Sequence, residues 1–299
     1  MQTLLVTGAS GLLGNAACRG AVGKFHVSGV FFKHKVDISG VEMFAADLST
    51  KEGVAAIDSR KPNVIIHCAA MTSVDACEER PEEAYRHNVV AAKNVAEAAR
   101  RCGAYLVHVS TESVFDGERG QYTEKDTPRP LNVYARTKLE AESAVLNLVP
   151  EAAVVRTTIY GWNAVGKQSL AEWILAKLRA GEEVPGFKDV YFSPILANDL
   201  ADILFLLCER KPQGILNISG SQACSKYEFA MHLAEAYGFN RERLRPTKAA
   251  SANFKARRPL NVSLDVTKAQ ELLRVFFPDL GTGLKRFKAI EDMGARHAQ

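Results

Sequence analysis

The chain has 299 residues, of which 47% are hydrophobic and 24% charged. This composition suits one large α/β domain, or a larger domain carrying a smaller one, and excludes a disordered chain. Its 38 basic and 34 acidic side chains leave a formal charge of +4, enough to favour a phosphate-bearing ligand and too weak for a nucleic-acid surface. The six cysteines (Cys18, Cys68, Cys77, Cys102, Cys208 and Cys224) show no CxxC or Cys/His spacing, so no metal site is expected and reduced thiols in a cytoplasmic protein are. No apolar stretch approaches the roughly 20 residues of a bilayer span, and the first residues read as a strand and not as a secretory leader.

In chain order, residues 4–7 predict a first strand and 12–21 an amphipathic helix. Residues 27–32, 64–69 and 106–110 predict further strands, separated by helices over 51–60 and 82–102. These strands are continuous runs of Val, Ile and Leu without alternation, as in a parallel sheet buried on both faces. Strand–helix alternation of this kind implies right-handed crossovers and a doubly wound α/β sheet of Rossmann type. After a strand at 154–156 the pattern loosens. It predicts helices at 169–180, 198–208, 225–238 and 266–273, a loop or short extended segment at 181–192, and a short strand at 215–219. The expected division is a dinucleotide-binding domain over 1–157 and about 190–215, with a smaller substrate domain over about 158–189 and 216–299.

The segment Thr7-Gly8-Ala9-Ser10-Gly11-Leu12-Leu13-Gly14 lies between the first strand and the first helix. Glycines there let the backbone turn tightly and approach a pyrophosphate at the helix N-terminus. An NAD site needs an acid at the end of the second strand for the ribose 2′-hydroxyl, yet no Asp or Glu occurs from Met1 to Val36. The chain reads Phe32-Lys33-His34-Lys35 instead, and Lys33 suits a 2′-phosphate. The expected cofactor is therefore NADP(H), with NAD disfavoured.

Tyr134-Ala135-Arg136-Thr137-Lys138 sets a phenol and an ammonium four residues apart on one helix face. An ammonium near a phenol is expected to lower its pKa from about 10 toward neutrality, which suits acid–base work. About twenty residues upstream, at the carboxyl end of a buried strand where ligands of this fold sit, lie Ser110-Thr111-Glu112. Strand pleating lets only one of Ser110 and Thr111 face the site, and Thr111 is the expected one.

These motifs resemble the extended short-chain dehydrogenases. The resemblance rests on the glycine loop, Asp47-Leu48 after the third strand, His67-Cys68-Ala69-Ala70, Thr72-Ser73-Val74-Asp75, Asn88, Ser110-Thr111, Val114-Phe115-Asp116-Gly117, Pro130 to Tyr134 and Lys138. More closely, the chain resembles the dTDP-4-dehydrorhamnose reductase family, which also includes the regulatory subunit of methionine adenosyltransferase. The likeness is dense over residues 3 to 160. It thins through Arg156 to Gly161, Asn198 to Ala201 and Arg258-Pro259.

The resemblance implies roles for individual residues. Gly8, Ser10, Gly11, Leu12, Leu13 and Gly14 hold the pyrophosphate, Lys33 and His34 face the 2′-phosphate, and Asp47 with Leu48 faces the adenine. Cys68, Ala69, Ala70, Thr72, Asn88 and Ser110 line the remainder of the cofactor. Tyr134 protonates a carbonyl oxygen, Lys138 binds the nicotinamide ribose, and Thr111 orients the carbonyl. Thr72, Thr111, Glu112 and Arg258 face the substrate. The implied reaction is reduction of a keto group on a nucleotide-linked sugar. An epimerase or dehydratase with the same triad, or a regulatory subunit without turnover, are the alternatives. The expected partner is a small nucleotide sugar, without nucleic acid or membrane, and a homodimer is a candidate assembly.

The chain also departs from the family pattern. Glu112 and Ser113 stand where the reductases usually carry Asp and Tyr, and Ile159 and Tyr160 occupy the region of a frequent tryptophan. Arg257-Arg258-Pro259, preceded by Lys255, suits either a substrate diphosphate or a solvated loop. His67 and His108, in apolar strands, read as hydrogen-bonded structural histidines.

Overall fold

The computed structural model describes residues 1–297. Seven strands form one parallel sheet: β1 (Thr3–Thr7), β2 (His26–Phe31), β3 (Val41–Ala45), β4 (Val64–His67), β5 (Tyr105–Val109), β6 (Ala153–Arg156) and β7 (Gly214–Asn217). Their spatial order is β7-β6-β5-β4-β1-β2-β3, so the winding reverses between β1 and β4. The carboxyl ends of those two strands open a crevice at the switch point, where ligands bind in such sheets. The expected doubly wound α/β fold is the one observed.

The apolar runs that predict the central strands do so because both faces are covered; β4, Val-Ile-Ile-His, is buried at every position. The edge strand β3 is different. Its sequence Val-Glu-Met-Phe-Ala is half-exposed, and one solvated face leaves no continuous apolar run to detect. On one side of the sheet α1 (Leu12–Ala21) packs with Leu200, Leu204 and Leu207 of the later helix Ala197–Arg210. On the other, α2 (Lys51–Asp58), α3 (Ala91–Cys102) and α4 (Val133–Leu148) bury Ile57, Val95, Ala99 and Val145.

A separate core lies among the helices Leu170–Arg179, Lys226–Tyr237 and Leu280–His297, around Ile174, Leu175, Phe229 and Phe287. The last of these helices escapes prediction, because Gly281, Gly283 and Gly294 dilute its pattern. The two units interleave more than the predicted boundaries allow. The strand over 214–217 pairs with β6 throughout, and Val266, Ala269, Leu273 and Phe277 pack on the sheet core, not on the smaller unit. Conversely, Phe192 and Leu196 belong to the smaller core. No helix among the described residues is long and apolar enough to cross a membrane.

Candidate active site

The crevice is built first from backbone. Beyond β1 the chain turns through Gly8 at φ +66°, and a Cβ there would lie 2.9 Å from the Ala69 backbone. Gly11 donates its N–H to the Gly8 carbonyl at 2.9 Å, and a Cβ on Gly14 would collide with that same carbonyl. Helix α1 then begins with Gly11 as N-cap, with no side-chain cap and no acid in its first turn. Its first N–H groups are thus free to meet an anion at the positive end of the helix. Gly8, Ser10, Gly11, Leu12, Leu13 and Gly14 form this one concavity. Cys68, Ala69 and Ala70 follow β4 on the facing wall, where the Ala69 N–H donates to Thr7 Oγ1 at 3.2 Å.

Lys33 and His34 lie exposed just beyond β2, and the predicted acid-free strand end is what the structure has. The His87 ring, from the π turn, sits 5.4 Å from Phe32 and so reaches the same corner from a distant segment. Asp47 accepts two hydrogen bonds from Ser49, at 3.0 Å from its N–H and 2.7 Å from its hydroxyl. Burial works to raise its pKa, but these bonds and the charges of His87 and Arg86 outweigh it and leave Asp47 below the usual carboxylate range. Leu48 accepts at its carbonyl from Asn94 at 2.9 Å.

Asn88 is placed by a feature that periodicity misses. Residues 82–102 predict one helix, but the structure inserts a π turn at Arg86–Val90 between Pro81–Tyr85 and α3. Such bulges concentrate at functional sites because they re-aim a side chain. Here Asn88 accepts from the Met71 N–H at 2.7 Å and donates to the Met71 carbonyl at 3.2 Å and to Thr137 at 2.9 Å. It ties the loop after β4 to helix α4.

Helix α4 carries Tyr134 and Lys138. Asn132 caps it, accepting from the Ala135 N–H at 2.9 Å and donating to the Arg257 carbonyl at 2.9 Å, which fixes the turn bearing Tyr134; such caps contribute about 1 kcal/mol. Thr111 acts on the Tyr134 phenol, lowering its pKa, and its Oγ1 donates to Glu112 at 3.1 Å. Ser110 turns the other way. Its hydroxyl donates to Glu142 at 2.5 Å, within the buried Glu142–Arg156 ion pair at 2.7 Å. Of the two neighbours, Thr111 is the one that acts on Tyr134, and the Ser110 hydroxyl is committed to the core.

The electrostatics differ from the sequence expectation. Burial, and then the Glu112 carboxylate, push the Tyr134 phenol well above its ordinary value, and the Thr111 hydroxyl opposes this only in part. Lys138 does not face the phenol. Its ammonium donates to the Val109 carbonyl at 2.7 Å and lies 3.4 Å from His108 Nε2. Burial holds Lys138 down to about 8, against the opposing pull of Glu142. The expected lowering of Tyr134 by Lys138 is therefore not realised, because the amine is aimed at the strand end. His67 and His108 are kept neutral by burial, with His67 at about 3. His67 Nδ1 is 2.7 Å from Thr7 Oγ1, while His67 Nε2 and His108 Nδ1 have no partner.

The outer wall comes from the C-terminal half. Arg258 pairs with Asp75 at 2.9 Å and stacks 5.0 Å from the Phe254 ring, and its Nη1 is buried without a hydrogen-bond partner. Asp75 also accepts from the Ala256 N–H at 3.0 Å, and Lys255 pairs with Glu79. The segment docks through Ala256 and Arg258, while Lys255 and Arg257 remain exposed. Thr72 accepts from Lys167 at 2.8 Å, a contact between the loop after β4 and the smaller unit. Burial raises the Glu112 pKa, and the field of Lys226 and the Thr111 and Thr158 hydroxyls oppose this. Glu142, His87, Thr158 and Lys226 carry no local motif; only the folded chain brings them here.

The RmlD substrate binding domain family model matches residues 1–292. The methionine adenosyltransferase 2 subunit beta of Xenopus laevis is 34% identical over 277 residues, covering 90% of this chain and 81% of that protein. A dTDP-4-dehydrorhamnose reductase of Aggregatibacter actinomycetemcomitans is 32% identical over 308 residues, covering 97% and 99%. The crystal structure of a dTDP-4-dehydrorhamnose reductase from Bacillus anthracis in complex with NADP superposes with a TM-score of 0.82 at 26% identity, covering 96% and 99%. With a glycine cradle at the switch point and a family model matched over nearly its whole length, this chain belongs to the RmlD substrate-binding-domain family.

Proposed function

We propose that the protein is an NADP(H)-dependent reductase of a keto group on a nucleotide-linked sugar, with Tyr134 as proton donor. The observation that carries this reading is the glycine cradle at the switch point, with Thr111 at the end of β5 and Tyr134 and Lys138 one helical turn apart on α4. The residues fit the cofactor. The cradle excludes any Cβ at Gly8 and Gly14, the first turn of α1 is uncapped, and the exposed Lys33 beyond β2 offers positive charge for a 2′-phosphate, with His34 beside it. The NADP bound by the Bacillus anthracis reductase supports the same choice.

When bound, the cofactor's nicotinamide would supply a hydride for the carbonyl carbon. Tyr134, held protonated by burial and by Glu112, donates its hydroxyl proton to the carbonyl oxygen, and Thr111 orients that oxygen. Lys138 presents a cation to the ribose hydroxyls. Arg258, with a buried and unpaired Nη1, suits a diphosphate, since guanidinium forks grip phosphate oxygens. The test is a screen of nucleotide 4-ketosugars, starting with dTDP-4-dehydrorhamnose, for NADPH oxidation. Turnover on one of them is expected, and none across the screen refutes the enzyme.

The identity to methionine adenosyltransferase beta subunits favours a second reading, a regulatory subunit that binds NADP without turning it over. It predicts tight NADPH binding, no oxidation with any ketosugar, and a stable complex with a catalytic partner.

A further inference from the structure

Residues 254–264 cross between the two units as a strap that the proposed reaction uses only at Arg258. On one side the strap is hydrogen-bonded to the smaller unit. The Tyr191 N–H donates to the Leu260 carbonyl at 2.6 Å, and the Val262 N–H donates to the Tyr191 carbonyl at 3.1 Å. On the other side it is bound to the larger unit. The Asn261 N–H donates to the Gly117 carbonyl at 3.0 Å, and a Cβ on Gly117, at φ +77°, would lie 2.6 Å from Pro259. The Ala256 N–H donates to Asp75 at 3.0 Å, and Arg258 pairs with the same carboxylate at 2.9 Å.

The strap also reaches the start of α4. Asn132, only 2% exposed, donates from Nδ2 to the Arg257 carbonyl at 2.9 Å while its Oδ1 accepts from the Ala135 N–H at 2.9 Å. The intervening Val133 N–H donates to Glu78 at 2.9 Å, on the same short helix, Val74–Glu79, that presents Asp75 to the strap. The residues on either side of Tyr134 are thus both tied down. Ser, Thr and Asp cap a helix about as well as Asn, but the amide alone accepts at one atom and donates from another. The cap by itself does not call for asparagine; the contact with the strap does. The tethered carbonyl belongs to Arg257, the immediate neighbour of Arg258, whose Nη1 is buried without a partner.

We propose that Asn132 is a positioning residue that couples nucleotide capture to the proton donor: a diphosphate held by Arg258 steadies the strap, and the Asn132 amide passes that restraint to the turn bearing Tyr134. This rests on the nucleotide-sugar reading above, in which Arg258 meets the diphosphate and Tyr134 gives the proton. Binding energy from a part of the substrate remote from the keto carbon then serves to hold the acid in place.

The test is hydrogen–deuterium exchange of the amides of residues 133–138, with NADPH present, before and after addition of dTDP. In the wild type dTDP is expected to slow this exchange about three- to tenfold, the worth of one net hydrogen bond. Asn132→Ser keeps the cap and loses the reach to Arg257. It is expected to bind dTDP and NADPH as the wild type does and to show no slowing. Its kcat on an accepted ketosugar should fall about 10- to 100-fold with KM nearly unchanged, as for an acid displaced by about 1 Å. Asn132→Asp, which keeps the cap and the shape but turns an acceptor toward the Arg257 carbonyl, is expected to behave alike and decides the matter if the serine variant does not fold. Slowing that persists in a folded variant, or a wild type that binds dTDP without slowing, refutes the coupling and leaves the reductase standing. If neither variant folds, Asn132 is structural and the coupling also fails. Slowing in the wild type that both variants abolish, without turnover on any ketosugar, upholds the coupling and removes the reductase. A wild type that binds no dTDP overturns both proposals.

Discussion

The glycine crevice and the wall facing it are built by different means. The crevice is made of backbone: a left-handed Gly8, a Gly14 pressed on its carbonyl, and an uncapped helix start, all within eight consecutive residues. The wall is made of side chains from remote segments, with Glu112 after β5 and Arg258, from the C-terminal half, paired to Asp75. Backbone geometry tolerates few residue types and so leaves a dense local signature. A wall of paired charges can be rebuilt one residue at a time, which is how one scaffold serves different sugars or none.

That contrast can be broken or sharpened by substitution. Tyr134→Phe is expected to lower kcat on an accepted ketosugar by about 10²- to 10⁴-fold, the usual worth of a positioned general acid, with NADPH affinity unchanged in a fluorescence titration. Gly14→Ala presses a methyl group on the Gly8 carbonyl. Overpacking of this kind costs about 1–3 kcal/mol, so a lower Tm and loss of NADPH binding are expected together. Lys33→Ala removes one charge-assisted contact. It should weaken NADPH about tenfold and leave NADH nearly unaffected, which direct titration of both cofactors checks.

Two smaller effects follow from pH. Burial lowers the Lys138 pKa to about 8, so its ammonium is complete only below that value. NADPH affinity should therefore fall as pH rises through about 8, and Lys138→Met should abolish this step. His67 is a base whose folded value, about 3, lies below its unfolded value. The unfolded chain takes the proton first, so stability is lost as pH falls below about 6.5 and declines further toward 3. His67→Asn should flatten that acid limb in a Tm-versus-pH series.

The sheet, the cradle and the Tyr134–Lys138 helix were legible because each imposes a period or a spacing on neighbouring residues. Edge strand β3 was not, since half of it faces solvent. The π turn that aims Asn88 was hidden inside an otherwise regular helical pattern. The direction of the Tyr134 shift was misjudged for a related reason. Spacing puts Lys138 on the same face, but the Val109 carbonyl, which the sequence does not place, captures the amine. The interleaving of 214–217 and 266–277 with the large sheet depends on contacts between segments far apart in the chain.

The most direct measurement follows the hydride. Incubation with NADPH deuterated at the nicotinamide C4 and dTDP-4-dehydrorhamnose, read by mass spectrometry and NMR of the sugar, should place deuterium on the former keto carbon in the wild type and not in Tyr134→Phe. NADPH that stays bound and fully deuterated, over a sugar that is never labelled, would contradict the reductase and leave a cofactor-binding subunit in its place.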